Sequence, residues 1–142
     1  MDDQTYRQII DRSPDAIIFG DAKGAIRLWN AGAEAMFGYT AEEALGRSMD
    51  LIIPERLRGR HWEGYDKVMA TGVSRYGAGD LLAVPAITKD GRTISIEFTI
   101  QMLKGPAGEL VGPLATIRDV TKRFHREKEM ARRLKELEAK QG

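Results

Sequence analysis

Between Thr93 and Met102 the chain alternates without a break: Ile94, Ile96, Phe98, Ile100 and Met102 against Thr93, Ser95, Glu97, Thr99 and Gln101. Successive side chains of an extended strand point to opposite faces, so ten residues at period two dictate a strand with one apolar and one polar face. Gly105-Pro106-Ala107-Gly108 turns the chain, and a second strand runs from about Leu110 to Arg118-Asp119-Val120-Thr121. From there to Gly142 the sequence has no Gly or Pro before its last residue and is dense in Lys, Arg and Glu, which reads as a helix. A sheet whose last strand runs into a protruding charged helix suits a module that hands its state to something downstream.

The earlier part supplies the rest of such a sheet. Thr5 to Arg12 reads as a short helix stopped by Ser13-Pro14, and Ala16–Phe19 and Ala25–Trp29 read as strands joined by the Asp21-Ala22-Lys23-Gly24 turn. Asn30 is placed to cap a helix over Ala31–Phe37, with Gly38 just past its end. Thr40 and Glu43 have capping-box spacing for another, closed by Gly46. Pro54 opens a longer helical stretch that stops near Gly72. Leu81–Thr88 is an apolar strand that Pro85 assigns to an edge or a bulge, and Lys89-Asp90-Gly91-Arg92 turns it into the alternating strand. Two strands, several short helices, then three strands make an α+β domain: a five-stranded antiparallel sheet with the helices gathered on one face. The divisions are a flanking helix at 1–13, a core at 14–121 and a linker or coiled-coil helix at 122–142.

Charge bounds the partners. From Lys122 onward eight Lys/Arg face four Glu, so that the segment carries +4 of a chain total of +1. Glu129 precedes Arg133 by four residues and Glu136 precedes Lys140 by four, the order that supports a solvated helix and not a nucleic-acid arm. No apolar run approaches a membrane span, and a cytoplasmic chain without direct membrane contact is expected. With no Cys, disulfides, thiolate metal sites and thiol nucleophiles are excluded. The carboxylates Asp2-Asp3, Glu42-Glu43 and Asp66 show no partner at a catalytic spacing, Gly77-Ala78-Gly79 does not lead into a helix, and His125 reads as a helix-surface residue, so no enzyme is expected.

Six segments fall in an order that resembles one family: Ser13-Pro14-Asp15-Ala16-Ile17-Ile18, Trp29-Asn30 with Ala33-Glu34, Phe37-Gly38-Tyr39, Glu42 to Arg47, Lys89-Asp90-Gly91 and Arg118-Asp119-Val120-Thr121. The chain resembles a PAS domain of the bacterial sensory type over roughly residues 5–121. That resemblance implies a PAS fold with a C-terminal signalling helix and a ligand or cofactor cavity between sheet and helices. It also implies a homodimer through the flanking helices and a covalently attached output domain of histidine kinase or cyclase type, as in two-component signalling. Asp119 and Thr121 match the positions that tether the output helix to the core. Within that helix the apolar residues cluster at Met130, Leu134 and Leu137, with Phe124 upstream. Two seams are open and neither is a clean heptad, but an isolated helix of this composition would fray in water without such packing, so a parallel coiled-coil pairing with a second copy is the expectation.

His61 carries the cofactor question. Leu57, His61, Tyr65 and Val68 recur at helical spacing, which puts the imidazole on an apolar stripe. One reading is a core histidine satisfied by a carbonyl. The other follows from Ile53-Pro54-Glu55-Arg56-Leu57-Arg58-Gly59-Arg60-His61, which resembles the proximal helix of oxygen-sensing haem PAS domains of the FixL and Dos types. There His61 would be the metal ligand to haem b, with a carbonyl on Nδ1 fixing its tautomer. Lys67 and Arg75 fall near positions that meet haem propionates, and Phe98 and Ile100 match the apolar pocket lining. The chain departs from those sensors at Gly79-Asp80-Leu81-Leu82, where they carry a distal cation. An apolar distal side favours carbon monoxide or nitric oxide over hydrogen-bonded dioxygen. Cysteinyl flavin photochemistry is excluded, whereas noncovalent flavin stacked on Trp29 or Trp62 leaves no motif. Trp29 is expected in the core or a dimer contact, and Trp62 at the surface or a helix junction. A cofactor-free or small-metabolite-binding dimerisation and relay module is the alternative to the haem sensor.

Overall fold

The computed structural model describes residues 1–73 and 79–141. The five strands are β1 (Ala16–Gly20), β2 (Ile26–Trp29), β3 (Leu82–Ile87), β4 (Thr93–Lys104) and β5 (Leu110–Asp119), in the antiparallel order β2-β1-β5-β4-β3. The helices are α1 (Asp3–Asp11), α2 (Ala31–Phe37), α3 (Ala41–Ala44), α4 (Glu55–Thr71) and α5 (Thr121–Gln141), with a 3-10 turn at Met49–Ile52. This is the expected α+β architecture. It differs in detail: α1 begins two residues early because the Asp2 side chain accepts from Thr5 N–H, and β4 continues two residues past Met102.

Register explains which residues meet. Ile96 lies opposite Asp119, Phe98 opposite Ile117 and Ile100 opposite Ala115, while Ala16 faces Ile117 and Ile18 faces Ala115 across the β1–β5 ladder. The even positions of β4 therefore share one face with Ala16, Ile18, Ile117 and the Ala86 of β3. That face meets Ala33, Phe37, Ala44 and Ile52 in the core. Phe37 and Ile18 are fully buried, and side chains of that size each contribute about 1.5–3 kcal/mol by leaving water. Trp29 belongs to this core: its ring meets Phe37 at 5.6 Å between centroids, and its Nε1 donates to the Tyr39 carbonyl at 2.9 Å.

Asn30 ties the layers together. Its Oδ1 accepts from Ala33 N–H at 3.0 Å, the expected helix cap, and also from Ile17 N–H at 2.8 Å. Its Nδ2 donates to the Ile10 and Asp15 carbonyls at 2.8 and 3.0 Å. One buried amide thus joins α1, β1 and α2. Next to it, α2 lies so close to β1 that a Cβ on Gly32 would stand 2.1 Å from the Asp15 carbonyl oxygen.

Candidate sensing helix and output junction

α4 forms because Pro54 fixes an extended entry and Gly72, at φ 74°, closes it with a left-handed cap whose N–H reaches the Val68 carbonyl. Its apolar stripe is real but incompletely covered, for the helix buries no residue fully. The helix is fastened at its N-terminal half by polar contacts. Arg58 Nε donates to the Ile53 carbonyl at 3.0 Å, Trp62 Nε1 to Asp50 Oδ1 at 2.6 Å, and the Tyr65 hydroxyl to the Asp21 carbonyl. The Trp62 ring rests on the β1–β2 turn, where a Cβ on Gly24 would come within 2.2 Å of it. Gly24 also has φ 84°, so both the turn and the indole require glycine there. Trp62 is therefore a junction residue, one of the two expected places for it. Its grip on Asp50 and Gly24 was not legible from periodicity.

His61 sits half-buried beside these rings, 4.7 Å from Trp62 edge-on and 5.8 Å from Tyr65. Burial lowers its pKa below the ordinary imidazole value, and the charge of Asp50 opposes that shift. Burial, with the charges of Asp21 and Asp66 adding to it, pushes Tyr65 up to about 12, so the phenol stays a donor. His61 Nδ1 is buried and has no hydrogen-bond partner among the described residues. The expected carbonyl on Nδ1 is thus absent among the described residues, because a helical residue on this stripe faces rings and not a free strand end.

Phe98 and Ile100 stand two residues apart on the core side of β4, both half-buried, with Leu82 of β3 directly across from Phe98. His61 and this pair thus stand on two different elements, α4 and β4. Lys67 is exposed, and six residues on from His61 it lies about 120° away around the helix. Arg75 falls outside the described residues. A surface cleft of about 490 Å³ opens elsewhere, between the end of α2 and the β3–β4 turn, lined by Met36, Gly38, Thr88, Lys89 and Arg92 among others.

At the junction of β5 and α5 the short polar residues bond the start of the helix. Asp119 Oδ1 accepts from the Thr121 backbone N–H at 2.9 Å and from its hydroxyl, closing a local turn at the root of α5. Thr121 Oγ1 in turn accepts from Ser95 N–H at 3.0 Å, and Val120 N–H donates to the Ser95 carbonyl at 2.8 Å. Both backbone groups of Ser95 on β4 are thus committed to the first residues of the helix. Arg123 adds an ion pair to Glu97 on the outer side of the same strand, a contact sequence reasoning missed. Along α5, Phe124, Met130, Leu134 and Leu137 are exposed.

Chemically, the donor set around α4 is a single neutral imidazole in apolar and aromatic surroundings. A haem would need one such nitrogen and an apolar cage. His61 could supply the nitrogen, with no hydrogen-bond partner on its Nδ1 among the described residues. Among the described residues no group of three or more His, Cys, Asp or Glu could hold a metal ion by itself, and no helix is long and apolar enough to cross a membrane.

The family model described as the PAS fold matches residues 10–124. Sensor protein FixL of Bradyrhizobium diazoefficiens is 31% identical over 116 residues, covering 81% of this chain and 22% of that protein. Signal transduction histidine-protein kinase AtoS of Escherichia coli is 24% identical over 123 residues, covering 87% and 19%. The chain thus spans about a fifth of the length of these curated relatives. The crystal structure of a PAS domain from Colwellia psychrerythraea superposes with a TM-score of 0.71 at 24% identity, covering 84% of this chain and 97% of that one.

Proposed function

The chain belongs to the PAS fold family, and from that premise we propose that it is the sensory module of a larger two-component signalling protein, holding haem b through His61. A sensory domain similar to those of FixL and a histidine kinase is the ground for this reading. The observation that carries the finer part is His61 itself: half-buried on the incompletely covered stripe of α4 and with its pKa lowered by burial, which favours the neutral imidazole that a metal needs. In this reading His61 would hold the iron, Phe98 and Ile100 would supply an apolar wall, and Lys67 with Arg75 would supply the cations for the propionates. Bound haem would supply a centre that responds to a diatomic gas or to redox state.

The protein residues do the rest. Trp62 and Tyr65, anchored to Asp50 and Asp21, fix where the imidazole sits. The module performs no catalysis of its own, works in the cytoplasm as a homodimer through its flanking helices, and passes its state through α5 to an attached kinase or cyclase. Haemin titration of the purified chain tests this: a Soret band is expected for the wild type and its loss in His61→Ala. Equal uptake with unchanged spectra would remove His61 from the site. One observation favours a second reading, a relay without cofactor. The rings of Trp62 and Tyr65 already enclose His61 on two sides. No haemin uptake by a folded wild type selects that reading.

A further inference from the structure

β4 turns Phe98 toward the core side of the sheet and, one residue earlier, Glu97 toward the other side. The Glu97 carboxylate is ion-paired with Arg123 in the first turn of α5, and its side chain is only 18% exposed. The residue directly across the β4–β5 ladder from Glu97 is Arg118. Directly opposed side chains in an antiparallel pair lie about 5 Å apart at Cβ, so Arg118 can reach Glu97 with a change of rotamer alone. In the structure its guanidinium instead meets Asp15 at 3.3 Å and is 73% exposed. Arg123 already has a second carboxylate partner, for Glu127 Oε1 lies 3.6 Å from its Nε one helical turn on.

These charges can be paired in two ways. One is the arrangement present, with Arg123 between Glu97 and Glu127 and Arg118 on Asp15. The other pairs Glu97 with Arg118 and leaves Arg123 to Glu127 alone, returning Asp15 to water. In both arrangements the part-buried Glu97 carboxylate keeps an arginine, so what differs is pairing on the more exposed arginines, which is individually weak. We propose that Glu97 is a switching residue, exchanging its partner between Arg123 of the helix and Arg118 of the neighbouring strand and so setting the angle at which α5 leaves the sheet. The root of the helix does not detach, because Ser95 holds Val120 and Thr121 in either state. Only the first turn beyond that root is freed or fixed. A small shift of β4 at Phe98, on the core side, moves Glu97 on the other side by the same displacement and chooses between the two arginines. The role in signalling rests on reading α5 as the output helix; the exchange of partners does not.

The test uses the 142-residue chain with Glu97→Gln, Arg123→Gln and Arg118→Gln, read by hydrogen exchange of the amides at 122–126. Because the chain has no Cys, spin labels at Gln101→Cys and Lys135→Cys give the distance from sheet to helix, with labelled chains diluted in unlabelled ones. Glu97→Gln and Arg123→Gln should each speed exchange about fivefold and broaden the distance distribution. Arg118→Gln, which removes the competing partner, should do the opposite: slower exchange and a narrower distribution. Unchanged exchange in Glu97→Gln, or an Arg118→Gln that behaves like Arg123→Gln, overturns the switch. Should Glu97→Gln fail to fold, the two arginine variants still decide through their opposite signs. If both signs appear but Arg118→Gln leaves the activity of a fused kinase untouched, the switch stands and the output reading falls.

Discussion

Replacing Asn30 with Ala removes four hydrogen bonds at once, and their cost can be worked bond by bond. Loss of the cap to Ala33 N–H is worth about 1 kcal/mol. The Ile17 N–H and the Ile10 and Asp15 carbonyls lose partners at 2.8–3.0 Å in part-buried positions. Each such group costs roughly 1 kcal/mol, toward the lower end of the scale because water can reach some of them. The total is about 3–4 kcal/mol, and for a domain of this size that lowers the melting temperature by roughly 10 °C. Urea unfolding followed by Trp29 fluorescence at fixed protein concentration measures it. Asn30→Asp sharpens the argument. It keeps the acceptor for Ala33 and Ile17 but turns a carboxylate toward two carbonyls, so its folded pKa rises above the unfolded value. Its penalty is then full above the folded pKa and is relieved as pH falls and the carboxyl gains a proton to donate. A cost below 1 kcal/mol for Asn30→Ala, or an Asn30→Asp variant with no gain relative to wild type on acidification, would refute the reasoning.

Other outcomes follow from the same structure. The pKa of His61 is lowered in the fold, so the folded protein resists its protonation. Stability should fall as pH drops below the unfolded value near 6.5, and His61→Phe should show a smaller loss between pH 7.5 and 5.5 in urea titrations. Removing residues 123–142 takes away the exposed Phe124, Met130, Leu134 and Leu137. Light scattering should then find weaker self-association with the sheet intact, whereas an equally tight dimer would move the contact to Tyr6 and Ile9 of α1, both also exposed. Asp119→Ala should cost about 1 kcal/mol and, in a kinase fusion, hold activity at one level whatever the signal; a variant that switches over the full range would reduce Asp119 to a structural cap.

What could be read in advance was what local spacing encodes. The alternation at 93–102 marked Phe98 and Ile100 as sharing a face because pleating is obligatory, and the Asn30, Thr40–Glu43 and Gly72 signals lie within one turn of the helices they cap. Asn30 as a three-way tie was not legible. Its bonds to Ile10 and Asp15 cross 20 and 15 residues, a proximity that exists only after β1 pairs. Trp62 was invisible as an anchor for the same reason, since Asp50 and Gly24 meet it only when α4 folds back on the first hairpin. Glu97 gave a faint hint as a charged residue on the outward register of a strand. Its partner Arg123 lies beyond a turn and a whole strand. Periodicity placed His61 on its stripe, but only packing reveals that Nδ1 finds no partner among the described residues.

Pro85 shows how the sheet keeps its outermost strand from recruiting others. Its register partner is Ser95, whose N–H and carbonyl are both spent on the side of β5 and α5. Residues of an antiparallel ladder aim both backbone groups to one side, so at this pair β3 turns Pro85 outward to the free border. A strand approaching that border meets a ring and a missing donor at the middle of a six-residue template. Because proline's lost N–H falls where the native ladder makes no bond, the protection carries no penalty in the fold. Growth by adding strand to strand, the route to open-ended fibrils, is blocked on this border of the sheet.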